Sequence, residues 1–168
     1  MALTIVSTAG AVDANSYCSL AEAETYFESR LHKTVWSAAS TADKNIALVW
    51  ATSVLDATMN WYGWGMTEIQ ALRWPRSGLA SPDGWTISST TIPPFLKKAT
   101  AEFAMQLIES DRMADPETMG FKQIAVSSIQ ITTDKFDRKT VIPQAVWNIV
   151  RPYGSKYSGS ASIELTRG

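Results

Sequence analysis

The chain has 168 residues, of which 45% are hydrophobic and 18% charged, and its formal net charge at pH 7 is -1. These values predict one globular domain that is large enough to bury a core without disulfides or bound metals. The charge argues against a protein that holds duplex DNA mainly by neutralising phosphates, and leaves transient contact with DNA open. Cys18 is the only cysteine and His32 the only histidine. One chain therefore cannot form an intrachain disulfide or a histidine-based metal cluster.

The sequence also lacks the patterns of common enzymes and membrane proteins. It has no GxSxG, Walker or dinucleotide-binding glycine motif, so we expect no enzymatic activity, no cofactor and no metal. Its start lacks the basic residues and long apolar run of a signal peptide, and no window approaches 18 uninterrupted apolar residues. We expect a soluble, unexported protein with no membrane contact.

Two helices are predicted in the first part of the chain. A weak alternation over residues 3–6 indicates a short edge strand. Ser19 and Glu22 have the spacing of a capping box, which predicts a helix over residues 20–32. A second start signal at Ser40 opens an apolar pattern that runs to residue 62, and we expect this to be the central helix.

Asp56 lies among the apolar positions of the predicted central helix. A carboxylate there needs a charged or hydrogen-bonding partner. Arg73 and Arg76 are the nearest candidates in sequence beyond the helix end. The alternative role, a catalytic acid, has little support in the surrounding residues.

Residues 61–76 join the two strongest helical patterns and hold three of the seven tryptophans. One interpretation is a folded loop whose indole rings plug the end of the core, with arginines covering them by cation–π contact. The other is a surface that stacks unpaired bases, and it would use four side chains: Trp64, Arg73, Trp74 and Arg76. We favour the first, because aromatic clusters in one small domain usually belong to the core.

The second half of the chain predicts two more helices and a β ribbon. Pro93 or Pro94 opens a helix that ends near Met113. Alternation over residues 121–132, with a change of phase at 127–128, predicts a strand or hairpin. A short fourth helix is expected over residues 142–150.

The fold class that follows is mainly α. We predict a small four-helix bundle-like domain over residues 1–153, with a short β-strand or hairpin insertion. Residues 154–168 form an extended C-terminal arm, because their Ser/Gly-rich sequence has too little apolar content to fold alone.

Two stretches of the sequence carry a resemblance. The first is residues 13–27, and the second comprises Gln70, Ala71, Leu72, Arg73, Trp74, Pro75 and Arg76, which follow the helix that carries Asp56. Both resemble the tailed-bacteriophage head-to-tail adaptor family, also called connector or head-completion proteins. The other elements appear in the family's order, so the resemblance covers roughly residues 13–153. Cys18 departs from the pattern, where a small or β-branched residue is more usual. Some members are labelled DnaT-like single-stranded-DNA-binding proteins.

The resemblance implies a structural protein of the virion neck, made in the host bacterial cytoplasm. It would form a homo-oligomeric ring, commonly of twelve copies, that docks beneath the portal protein and offers a surface to tail or nozzle proteins. Double-stranded DNA would pass through transiently during ejection, since a mildly acidic wall does not hold a duplex. The arm would bind the portal through Tyr157, Ile163 and Leu165. The alternative is a single-stranded-DNA-binding replication accessory protein.

Overall fold

A computed structural model describes residues 3–114 and 140–157, together with the backbone of residues 123–126 and 129–132. Five α-helices lie in this part of the chain: α1 (Leu20–Glu28), α2 (Thr34–Ala38), α3 (Thr41–Thr58), α4 (Pro94–Glu109) and α5 (Gln144–Val150). The strands there are β1 (Met59–Trp61), β2 (Trp64–Gly65), β3 (Arg76–Ser77), β4 (Gln123–Val126), β5 (Ile129–Thr132) and β6 (Gly154–Lys156). The fold is mainly helical, as predicted. The four-helix bundle arrangement is not confirmed.

The core lies between α3 and α4, the two longest of these helices. Leu48 and Leu55 of α3 and Leu96 and Phe103 of α4 are fully buried. The helices α1 and α5 both pack against α4. Since burial of each large apolar side chain stabilises the fold by about 1.5–3 kcal/mol, α4 is the helix on which the other elements assemble.

The capping box at the start of α1 is confirmed. The Ser19 hydroxyl accepts a hydrogen bond from the backbone N–H of Glu22, and the Glu22 carboxylate accepts one from the backbone N–H of Ser19. The predicted end at residue 32 is wrong, because α1 stops at Glu28. The chain turns there and forms α2, which buries Trp36 in a stacked contact with Phe27 at 4.5 Å between ring centroids.

The central helix α3 also ends earlier than predicted, at Thr58 instead of residue 62. Residues Met59–Trp61 leave the helix and pair with β6 in antiparallel register, from Met59 opposite Lys156 to Trp61 opposite Gly154. A tertiary partner thus overrides the local helical pattern. The helix α4 begins at Pro94, as the proline rule predicts, and ends at Glu109.

Three two-stranded antiparallel sheets are described: β1–β6, β2–β3 and β4–β5. The last of these confirms the hairpin predicted over residues 121–132, although its turn at 127–128 lies outside the described residues. The edge strand expected at residues 3–6 is not formed. Instead, the side chain of Asn15 binds the backbone N–H of Val6 and the carbonyl of Thr4, which takes up groups that a strand would use.

The fourth predicted helix is confirmed as α5, which begins at Gln144 and is followed by the 3-10 turn Arg151–Tyr153. The first residues of the predicted arm form β6. Ile163 and Leu165 lie outside the described residues, and the division into residues 1–153 and 154–168 stays a prediction.

Candidate functional site

Asp56, in the last turn of α3, is bound by three donors from different parts of the chain. Its Oδ1 accepts hydrogen bonds from the Tyr17 hydroxyl at 2.5 Å and from Trp61 Nε1 at 3.3 Å. Its Oδ2 accepts one from the backbone N–H of Arg73 at 3.1 Å. This single carboxylate therefore joins the N-terminal segment, β1 and the Leu-Arg-Trp-Pro-Arg segment to the central helix.

Of the two predicted partners of Asp56, Arg73 is confirmed, but through its backbone N–H. The guanidinium of Arg73 instead donates to the Tyr157 hydroxyl at 2.7 Å and lies over that ring, 5.6 Å from its centroid. The guanidinium of Arg76 donates to the backbone carbonyls of Trp61, Tyr62, Gly63 and Arg73. The sequence therefore indicated the correct residue, Arg73, but not the group that donates, which is its backbone amide.

Burial governs the electrostatics of the Asp56 junction. Burial raises the pKa of Asp56. The hydrogen bonds from Tyr17, Arg73 and Trp61 lower this pKa, but burial has the larger effect. Burial, together with the charge of Asp56, raises the pKa of Tyr17 well above its usual value. The tyrosine hydroxyl therefore stays protonated and acts as a donor, so the junction has the character of a structural clamp.

Trp74 lies in the core, with 1% of its surface exposed. Its ring makes edge-on contacts with Trp61, at 5.7 Å between centroids, and with Phe95, at 5.5 Å. This confirms that Trp61 and Trp74 plug the end of the helical core. The expected arginine cover is not found, since the cations seen over indoles in the described residues are Lys44 on Trp36 and Lys156 on Trp147.

The remaining motif residues hold the loop in shape. The Gln70 Oε1 accepts from the backbone N–H groups of Met66 and Thr67, and its Nε2 donates to the carbonyls of Leu72 and Pro75. Leu72 packs against the core and Pro75 is buried. The motif residues thus fix the conformation of the loop next to Asp56. They are Gln70, Leu72, Arg73, Trp74, Pro75 and Arg76.

The loop region and the residue after β6 expose several aromatic side chains. Trp64 and Trp85 expose 64% and 78% of their surface, and Tyr62 and Tyr157 are also exposed. The Trp64 ring lies so close to Gly78 that a Cβ there would come within 2.4 Å of it. Of the four stacking candidates, Trp64 and Arg73 are therefore accessible, whereas Trp74 is buried and Arg76 is engaged by carbonyls. The sequence analysis did not identify Trp85 as an exposed aromatic residue. The turn-forming residues Pro82, Asp83 and Gly84 just before it could have indicated that it lies at the surface.

The outer face of α3 is a second exposed apolar surface. Ile46 and Trp50 expose 55% and 46% of their surface, Val49 is half-buried, and Ser53 and Ala57 are exposed. These five residues define the outer α3 face. Between Lys44 and the end of α3 the only charged residue is Asp56, which points inward to Tyr17. The sequence predicted apolar residues around much of α3, but it did not predict that some of them face outward.

The described part of the chain offers neither a cluster of metal ligands nor a membrane-spanning helix. No group of three or more His, Cys, Asp or Glu side chains there could hold a metal ion. Each helix described is too short or too polar to cross a membrane.

Comparison with known proteins assigns the chain to a family. No curated protein and no solved structure is found to match the chain. One protein-family profile matches residues 1–168, which is the whole sequence. The chain therefore belongs to the family described as "Putative DnaT-like ssDNA binding protein".

Proposed function

We propose that this protein is a structural subunit of the neck of a tailed bacteriophage, where a ring of copies docks beneath the portal protein. The resemblance to head-to-tail adaptors over roughly residues 13–153 supports the proposal. In this role the ring, with twelve copies expected, completes the head after DNA packaging. It gives tail or nozzle proteins a place to attach and lets duplex DNA pass.

The observation that carries the proposal is the outer α3 face. It extends over about 16 Å, from Ile46 to Ala57, at a rise of about 1.5 Å per residue. A helix with apolar residues all round is normally buried, and contiguous exposed apolar surface with few charges is typical of protein interfaces. In a closed ring each subunit offers one such face to a different surface of its neighbour.

The proposed portal arm begins at a well-defined point. Tyr157 is held to the body by its backbone N–H, which donates to the carbonyl of Thr58, and by its contacts with Arg73. In a ring, every copy would carry such an arm at the same point. Once one arm binds, the effective concentration of the other arms at their sites rises, so contacts that are weak singly become strong together. Tyr157, Ile163 and Leu165 are the arm's apolar anchors in this proposal.

Electron microscopy of the protein mixed with isolated portal particles tests the ring. We expect a ring at one end of the portal with the natural sequence and its loss with Trp50→Glu, because the added charge would be buried between subunits. Ser37→Glu, which adds the same charge at an exposed position of α2, is the control and should still form the ring. Ring formation by Trp50→Glu would remove the support that the α3 face gives.

A second candidate is favoured by a separate observation, the exposed aromatic side chains of the loop region. Trp64 and Trp85 are accessible to unpaired bases, and Arg73 lies close enough to Tyr157 to add a positive charge beside an aromatic ring. Each stacked base contributes about 1–3 kcal/mol. The family's name describes single-stranded-DNA binding, and a replication accessory protein would use this surface.

A gel shift with a single-stranded oligonucleotide at several salt concentrations separates the two candidates. Strong, salt-sensitive binding that is lost in a Trp64→Ala, Trp85→Ala double variant favours the second candidate. Weak binding that the double variant leaves unchanged, together with ring formation on the portal, favours the first.

A further inference from the structure

A cleft of about 290 Å³ lies between the start of α1 and the first turns of α4. Its lining includes Cys18, Glu22, Tyr26, Pro94, Lys97 and Lys98. The Lys97 ammonium binds the Glu22 carboxylate at 2.5 Å, so these two charges offset each other. Lys98 is exposed and has no carboxylate partner among the described residues. The cleft therefore carries one net positive charge beside apolar ring and proline surface.

The C-terminal segment leaves the body close to this cleft. Tyr153 stacks on Phe95 with 3.7 Å between ring centroids, and Phe95 follows Pro94, which lines the cleft. A second connection runs from Tyr157 through Arg73 and Asp56 to Tyr17, the residue before Cys18. Both connections link the segment that ends at Tyr157 to residues next in sequence to Pro94 and Cys18 of the cleft lining.

The chain beyond Tyr157 has the chemistry to fill the cleft, and its reach follows from its length. Ile163 is six positions beyond Tyr157, and an extended chain of that length spans about 20 Å. The sequence Ile163-Glu164-Leu165 sets one carboxylate between two aliphatic side chains. This matches an apolar cleft with one uncompensated ammonium at its rim.

We infer that the α1/α4 cleft binds the chain's own residues 158–168, with Ile163 and Leu165 against its apolar wall and Glu164 at Lys98. This inference is independent of the portal proposal. It adds a consequence to it, because an arm held in the cleft must leave it before its apolar anchors can bind another protein.

Zero-length carbodiimide cross-linking of the full chain, followed by peptide mapping, tests the inference. We expect an amide bond between Glu164 and Lys98 in protein of monomer mass. The Lys44–Glu24 ion pair, at 2.9 Å, should cross-link in the same sample and serves as the internal positive control. Lys98→Arg and Glu164→Gln should each remove the new bond and leave the control bond intact.

The apolar anchors give a second measurement. The double variant Ile163→Ser, Leu165→Ser should reduce the Glu164 cross-link about tenfold, since it removes two buried aliphatic side chains. Ser160→Ala is the matched control and should leave the yield unchanged. The inference is overturned if Glu164 forms no cross-link to Lys98 while Glu24 does, or if the anchor variant cross-links as well as the natural sequence. A Glu164–Lys98 bond found only in dimers would also overturn it and would assign the cleft to a neighbouring copy's tail.

Discussion

The Tyr17 hydroxyl donates a hydrogen bond to Asp56 across 39 residues of sequence and fixes the N-terminal segment to the end of the central helix. The same carboxylate binds Trp61 Nε1 and the backbone N–H of Arg73. A half-buried charge is tolerated here because each contact brings a donor to it. The loop that carries Trp74 is therefore tied to the central helix through this acceptor.

We expect Asp56→Ala to lower the free energy of unfolding by about 2–4 kcal/mol, because it leaves buried donors without an acceptor. Tyr17→Phe should cost about 1 kcal/mol. The double variant should be more stable than the sum of the two losses predicts, by about 1 kcal/mol, since both remove the same hydrogen bond. Urea melts of the four proteins measure this coupling, and additivity would show that the bond contributes little.

Arg73→Ala provides the matched control for the same cycle. Its backbone N–H remains in the variant, so the hydrogen bond to Asp56 Oδ2 is retained. We expect its coupling to Asp56→Ala to stay below about 0.5 kcal/mol. A larger value would mean that the guanidinium charge, and not the amide, is what stabilises the half-buried carboxylate.

A second prediction compares two tryptophans of the same region. Trp74→Ala should destabilise the protein by about 3–5 kcal/mol, because a buried indole leaves a cavity that its neighbours only partly fill. Trp85→Ala should change stability by less than about 0.5 kcal/mol, since its ring is mostly exposed. Denaturant melts of both variants decide the matter. Similar losses in the two would contradict the burial described here.

The contrast between these residues shows where sequence reasoning succeeds. Helix starts were predictable because their signals are local: Ser19 with Glu22 makes a capping box, and Pro94 opens α4. The helix ends were not, because tertiary contacts decide them. Residues Met59–Trp61 pair with a strand nearly a hundred positions away.

The candidate site was only partly predictable for the same reason. Asp56 and the Leu-Arg-Trp-Pro-Arg segment were correctly placed at one junction. Whether Trp64 or Trp74 enters the core depends on the path of the loop, which composition does not specify. The hydrogen bonds of Arg76 to four carbonyls likewise depend on backbone geometry, and a sequence pattern carries no information about it.

A third prediction concerns acid. Hydrogen bonds from Lys44 and Trp36 lower the pKa of Glu24, against some burial. A carboxylate with a depressed folded pKa contributes stability above its unfolded pKa of about 4.3, and this contribution is lost as the pH falls through the folded value. The difference in melting temperature between the natural protein and Glu24→Gln should therefore shrink below about pH 4.3. Glu28→Gln, which replaces an exposed carboxylate on the same helix, is the control. The prediction is refuted if the difference between the natural protein and Glu24→Gln stays constant down to pH 3.

A fourth prediction concerns Cys18. Burial raises its thiol pKa to about 12, with a further contribution from Glu22. Since the thiolate is the reactive form, the folded protein at pH 8 should react with a disulfide reagent at least about a hundredfold more slowly than free cysteine. Unfolding in guanidinium should release full reactivity. Rapid stoichiometric labelling without denaturant would show that the segment before α1 opens readily.

The last prediction concerns the proposed portal arm. Deletion of residues 158–168 should shift the melting temperature by about 3–6 °C, because Tyr157 and β6 remain on the body and the tenfold loss expected for the arm's anchors corresponds to about 1.4 kcal/mol. Binding to the portal should nevertheless fail.

Co-sedimentation with DNA-filled, portal-bearing heads measures that loss. The full-length Ile163→Ser, Leu165→Ser variant separates the arm's anchors from its length, and it should bind as poorly as the truncated protein. The reason is repetition, since a ring loses each weak contact in every subunit at once. Equal occupancy of the heads by the natural and truncated proteins would mean that docking uses the helical body, where the outer α3 face and the loop around Trp64 are the exposed apolar surfaces available.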